Sequence, residues 1–232
     1  MDYEHPTPKE VRRAARAAIT ILNDNDFSCC LFGSLACHIY GVKYRDPKDV
    51  DLIVLNHRNY DAEDLKQLLV DNDSRFYLVD SVNPDADYQV LWYKVPIYRP
   101  GDPAKRCKVD ILTTGRTTSL DIPRIPDKRV LYLERYEDLP VMPLLALLLM
   151  KLQGWHDHRH SGVTRMQRKV RQDVNDIYEL LEIATGEWDL HRNNKDQRWM
   201  PDWFMNRMDD LVEEFLRKFP DVQEQWEALG LY

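Results

Sequence analysis

Residues 29–55 read CCLFGSLACHIYGVKYRDPKDVDLIVL, and this stretch sets the expectations for the whole chain. Phe27 to Phe32 is short, apolar and strand-like, and Gly33-Ser34 ends it. Leu35 to Tyr40 then reads as a helix stopped by Gly41. A strand, a Gly-Ser turn and a helix in that order aim free backbone N–H groups and the positive end of a helix dipole at one spot. Gly33 lacks the side chain that would hold a phosphate away, and the Ser34 hydroxyl adds a donor.

Lys48 to Leu55 (KDVDLIVL) reads as a second strand. Side chains alternate along a strand, so Asp49, Asp51 and Ile53 share one face and Val50, Leu52 and Val54 the other. The two carboxylates are then roughly 6.5 Å apart at their bases and able to converge on one ion. Asp110, inside Lys108-Val109-Asp110-Ile111-Leu112, repeats the pattern: Val109 and Ile111 turn to the core and Asp110 faces away. Magnesium takes one or two carboxylates and draws further ligands from water and phosphate. A pair of ions about 3.5–4 Å apart needs another acid, which Asp110 supplies from a neighbouring strand. Mg2+ (or Mn2+) held by Asp49, Asp51 and Asp110 is therefore the expected cofactor. Alone, a Gly-Ser is a turn and an Asp-x-Asp a solvated strand face. Their order, spacing and strand context together carry the functional reading.

These motifs resemble the nucleotidyltransferase superfamily, the DNA polymerase β-like fold, which carries a Gly-Ser turn, a helix, an Asp-x-Asp strand and a later strand carboxylate. Arg45, four residues before Asp49, resembles the Arg-x-Thr-x-Asp-x-Asp pattern of a bacterial branch that includes abortive-infection and toxin–antitoxin nucleotidyltransferases. Pro47 stands where that pattern has Thr. Leu139 to Leu152 (LPVMPLLALLLMKL) resembles the Leu-rich helix of that branch ending in Lys-Leu, and Arg159 follows at a similar distance. Arg171 to Asp176 (RQDVND) resembles its Lys-Asp-x-x-Asp helix, with Gln172 in place of Lys. By position, the resemblance implies that Lys151 touches the triphosphate and that Asp173 sits in the catalytic pocket. It also implies an α+β fold, a mixed β-sheet flanked by helices and followed by a C-terminal helical region.

The chain has 232 residues, enough for one large domain or two small ones. The expected division is a catalytic domain over 1–130 and a helical domain over 131–232. The most apolar run, Val141 to Met150, is too short for the ~20 residues of a membrane span and contains Pro143. The first residues, MDYEHPTPKEVRR, are polar, so an intracellular, cytoplasmic chain is expected. Cys29, Cys30, Cys37 and Cys107 show no C-x-x-C spacing and read as buried free thiols. A net charge of −7 argues against a general nucleic-acid binder. Basic groups cluster locally, as Lys105, Arg106 and Lys108, and as Arg165, Arg168, Lys169 and Arg171 along one predicted helix, where a solvated face is the plain explanation.

Thr7-Pro8-Lys9-Glu10 reads as a capping box opening a helix through about Asn23. Asp61 to Val70 reads as a helix. Arg75 to Val79, Tyr88 to Tyr98 and Lys108 to Thr113 read as strands, with Pro96 marking an edge or a strand end. Gly115 to Asp127, rich in Thr, Pro and Arg, reads as a loop or linker. Helices are expected over Met142 to Gln153, stopped by Gly154, over Val163 to Ala184, Trp203 to Phe219 and Gln223 to Leu229. The run His156-Asp157-His158-Arg159-His160 is expected in a loop after Gly154. Zinc draws its ligands from separate elements, so a polar loop is preferred to a metal site there, and Arg159 is kept as a phosphate contact. Trp188, Trp199, Trp203 and Trp226 read as C-terminal core.

The expected reaction moves an NMP from an NTP to an acceptor hydroxyl with loss of pyrophosphate. Gly33 and Ser34 would bind the phosphates, and Lys151 with Arg45 or Arg159 would neutralise the leaving group. The acceptor stays open among an RNA or tRNA 3′ end, a protein and a small molecule. A nucleotide- or partner-binding protein of the same fold without chemistry is the alternative.

Overall fold

The computed structural model describes residues 4–81, 88–97, 99–116, 118 and 120–232. Its first helix, α1 (Pro8–Asp24), opens as its sequence predicts: Thr7 and Glu10 exchange side-chain-to-backbone bonds in a capping box. Val11, Ala14, Ala15, Ala18 and Leu22 form its buried stripe, and the small alanines let it lie close to the sheet. β1 (Cys29–Phe32) runs directly into α2 (Gly33–Tyr40). Gly41, at φ 117°, closes α2 in the left-handed conformation that glycine adopts most readily. β2 (Asp49–Val54) is followed by α3 (Ala62–Asn72), capped by Asp61 with a reciprocal bond from Asp64.

β3 (Phe76–Asp80), β4 (Gln89–Val95) and β5 (Lys105–Thr113) complete the expected strands. Tyr98, at the far end of the expected fourth strand, lies outside the described residues, as do Thr117 and Ser119 of the expected loop. Pro96 marks a strand end and not an edge, since β4 pairs on both sides. The chain then returns to the sheet with β6 (Leu131–Leu133) and β7 (Tyr136–Val141). These two strands follow the boundary expected at residue 130, and β7 pairs in parallel with β1. Among the described residues the sheet has seven strands in the order β3-β4-β5-β2-β1-β7-β6, mixed in direction, so the α+β class holds. One apolar core runs from α1 through the sheet into the C-terminal helices.

α4 spans Leu144–His160, past the stop expected at Gly154. Gly154 does not adopt positive φ, so it makes no left-handed cap. Trp155, fully buried with its ring 5.0 Å from that of Phe215, keeps the next turn docked. Tertiary burial overrides the local breaker. The histidine run is therefore helical, not a loop. The helix expected over Val163 to Ala184 divides into α5 (Thr164–Gln167) and α6 (Val170–Glu182), followed by a π-helical turn at Ile183–Glu187. α5 buries no residue, so nothing apolar holds it on the axis of α6. α7 (Asp202–Leu216) and α8 (Gln223–Ala228) close the fold.

All four cysteines are buried free thiols, and burial pushes Cys29 and Cys37 up to about 12. Trp226 is fully buried, while Trp188, Trp199 and Trp203 pack against the core from its margin. Among the described residues no helix is long and apolar enough to cross a membrane.

Candidate active site

The site begins at the β1–α2 junction. Phe32 pairs with Asp51 across the antiparallel β1–β2 ladder, so the next residue, Gly33, lies over the Asp51 carboxylate. Gly33 has φ +63°, and a Cβ there would collide with Asp51. Both the conformation and the contact require glycine. No side chain caps α2, which leaves its first backbone N–H groups for a ligand. The Ser34 hydroxyl donates to Asp49 Oδ1 at 3.2 Å, linking the turn to the first acid.

β2 and β5 are parallel neighbours, and Asp51 pairs with Asp110 in register. Asp49, Asp51 and Asp110 thus share one face of adjoining strands, while Val50, Leu52, Val109 and Ile111 are buried in the core. The three acids line one cleft of about 680 Å³ with Gly33 and Ser34. Lys108, opposite Asp49 in the ladder, places Nζ 2.5 Å from Asp110 Oδ2. Burial, with the charges of Asp49 and Asp110, pushes the Asp51 carboxyl up to about 7 against the opposing pull of Lys151 and Lys108. A buried carboxyl held protonated beside two further acids is short of positive charge, and hard oxygen donors suit Mg2+ or Mn2+. The residues present fit such an ion.

The opposite wall is basic. Asp176, with its side chain 1% exposed, holds Lys151 Nζ at 2.7 Å and the Arg45 guanidinium at 2.8 Å. Burial works to raise the Asp176 pKa, but Lys151 and Arg45 outweigh it and hold the carboxylate below its usual range. The loop bearing Arg45 is tied to α6: Glu179 accepts from the Lys43 and Tyr44 backbone N–H groups at 2.7 and 3.2 Å. Tyr44 Oη donates to the Gln172 carbonyl at 2.8 Å and accepts from Arg45 Nε at 2.7 Å. Tyr40 Oη donates to the Met142 carbonyl at 2.7 Å, which joins α2 to the start of α4.

Eight of the nine residues expected from the sequence line this cleft: Gly33, Ser34, Arg45, Asp49, Asp51, Asp110, Lys151 and Asp173. Arg159 is not among them. Its guanidinium pairs with Glu214 on α7 and lies over the Trp155 ring. His158 lines the cleft instead, with Nδ1 2.6 Å from Asp173 Oδ2. In a helix unbroken at Gly154, residue 158 follows Lys151 by two turns and shares its face, whereas residue 159 is rotated away. The assumed stop at Gly154 concealed that periodicity. Sequence reasoning also missed Asp176 as the anchor of both cations, although the second acid of an Asp-x-x-Asp on one helix face was a usable signal. Arg165 and Lys169, grouped with a solvated helix face, stand at the cleft mouth.

Acids from two parallel strands thus lie beneath a glycine turn and share their cleft with a lysine and an arginine. The chain is similar to a crystal structure of an antigenic nucleotidyltransferase-like protein from Paracoccidioides brasiliensis, with TM-score 0.66 and 18% identity over 97% of this chain and 95% of that one. It also matches a candidate nucleotidyltransferase from H. pylori at TM-score 0.39 and 13% identity, over 91% of this chain and 96% of that one. The chain belongs to the AbiEii family: the family model "Nucleotidyl transferase AbiEii toxin, Type IV TA system" matches residues 34–224. No curated protein matches it.

Proposed function

We propose that the cleft transfers an NMP from an NTP to the hydroxyl of an anionic acceptor, of which an RNA 3′ end fits best. The acceptor oxygen forms a bond to the α-phosphorus, the bond to the β-phosphate bridging oxygen breaks, and pyrophosphate leaves. The observation that carries this reading is the in-register pairing of Asp51 with Asp110 beneath Gly33. Asp49, Asp51 and Asp110 would hold Mg2+ (or Mn2+), which when bound polarises the phosphates and acidifies the attacking hydroxyl.

Gly33, Ser34 and the first N–H groups of α2 receive the β- and γ-phosphates. Asp110 takes the acceptor proton as general base. Lys151 and Arg45, held in place by Asp176, face the charge that develops on pyrophosphate. His158 and Asp173 line the same pocket. The exposed cations Arg165 and Lys169 at the mouth favour a polyanion over a cationic small molecule.

The test offers each labelled NTP in turn, with Mg2+, to total RNA, to protein and to small-molecule extract. Label in RNA, lost in Asp51→Asn, supports the reading. Label in protein or small molecules moves the acceptor. Mg2+-dependent NTP binding without product in any arm supports the non-catalytic alternative.

A further inference from the structure

Two members of the histidine run, His156 and His160, take no part in the cleft. Because α4 continues through Gly154, His156 and His160 stand one turn apart, with ring centroids separated by 4.3 Å. Glu214 reaches them from α7: His156 Nδ1 is 2.8 Å from Glu214 Oε2, and His160 Nε2 is 3.9 Å from Glu214 Oε1. One ligand atom from each of the three residues lies within 4.8 Å of the other two. None of the three lines the catalytic cleft.

The hydrogen bonds fix the tautomer of His160. Its Nδ1 is 2.9 Å from the His156 carbonyl oxygen, which only accepts, so Nδ1 carries the proton. Arg159, which only donates, approaches His160 Nε2 at 3.2 Å, so Nε2 presents its lone pair. An imidazole anchored through its second nitrogen to a backbone carbonyl is the arrangement metal-ligating histidines use. The cation now facing that lone pair is Arg159, whose guanidinium also meets Glu214 Oε1. Arg159 marks a place built to receive positive charge.

We propose that His156, His160 and Glu214 form a Zn2+-type site joining α4 to α7, which the ion enters by displacing the Arg159 guanidinium. Two imidazoles and a carboxylate leave the fourth position of a tetrahedral ion to water. Mg2+, which prefers oxygen donors in octahedral array, is a poor match and belongs with the carboxylates of the cleft. A bound ion would brace the helix that carries Lys151 and His158 into the cleft.

The test is calorimetric titration of Zn2+ into the full chain in excess Mg2+, paired with Co2+ titration followed by visible absorption. One Zn2+ per chain is expected, with a raised Tm and a tetrahedral Co2+ spectrum. His160→Gln and Glu214→Gln, checked for folding by circular dichroism, should each weaken binding by at least about tenfold. Arg159→Met should tighten it, because the resident cation is gone. Absence of Zn2+ binding, or binding unchanged in both His160→Gln and Glu214→Gln, overturns the site. Failure of Arg159→Met to tighten binding overturns the displacement.

Discussion

Gly33 rests against the carboxylate of Asp51: a Cβ at residue 33 would overlap Asp51 Oδ2 and lie 2.8 Å from its Cγ. The phosphate-type turn and the central acid are one packed unit. Gly33→Ala should therefore lower stability by about 1–2 kcal/mol for the left-handed backbone alone, before any displacement of Asp51. Transfer should fall steeply. Thermal melts with and without Mg2+ and NTP, beside the transfer assay, check both.

Gly154 predicts the opposite sign. It lies inside α4, and a Cβ there meets nothing within 4 Å. Gly154→Ala should stabilise the protein by roughly 0.5–1 kcal/mol, the helix-propensity gain over glycine. A shift in the denaturation midpoint at constant m-value is the measurement.

Asp176 should be costly to lose. Asp176→Ala leaves Lys151 and Arg45 without the carboxylate that holds them, and breaking a buried ion pair on one side costs about 3–5 kcal/mol. Urea denaturation reads that loss. Asp176→Asn, which keeps the volume, should also raise KM for NTP, because both cations lose their anchor.

The pH dependence follows from Asp51. Its carboxyl is pushed from 3.8 up to about 7 by burial, Asp49 and Asp110. A folded-state pKa above the unfolded value means that the native state keeps a proton the unfolded chain has released. Without metal, stability should fall as pH rises from about 4 to about 7 and then level off. Asp51→Asn should flatten that slope and stabilise the metal-free protein at pH 8. Mg2+ protection should strengthen over the same interval, since the ion requires the ionised acid. Melting curves across pH, with and without Mg2+, decide it.

His158 and Arg159 should behave differently despite being adjacent. His158→Gln removes a cleft side chain bonded to Asp173 and should reduce transfer about tenfold or more, as loss of a positioning bond commonly does. Arg159→Gln should leave transfer within about twofold, because its guanidinium lies against Trp155 and Glu214. Parallel assays of the two variants test the placement.

Much of the site was legible because its signals are local. Alternation on β2 and β5 put Asp49, Asp51 and Asp110 on the face turned away from the valine and isoleucine side, and a Gly-Ser before a short helix marked the turn. The errors lay where burial overrode local preference. Gly154 reads as a stop, yet Trp155 packs onto Phe215 and carries the helix on, which exchanges Arg159 for His158 in the cleft. β6 is three residues long, and β7 takes its place between β1 and β6, partners beyond its own sequence pattern.

The amino-acid order alone determined the glycine turn and the faces of the acidic residues, because backbone sterics and strand alternation act over a few neighbours; the class of fold came through the resemblance those motifs carry. The tertiary structure decided that Asp51 and Asp110 are paired in register, that Asp176 holds Lys151 and Arg45, and that Arg159 faces α7. Those outcomes depend on which distant surfaces exclude water from one another, a choice that side-chain spacing along a chain hints at but does not by itself decide.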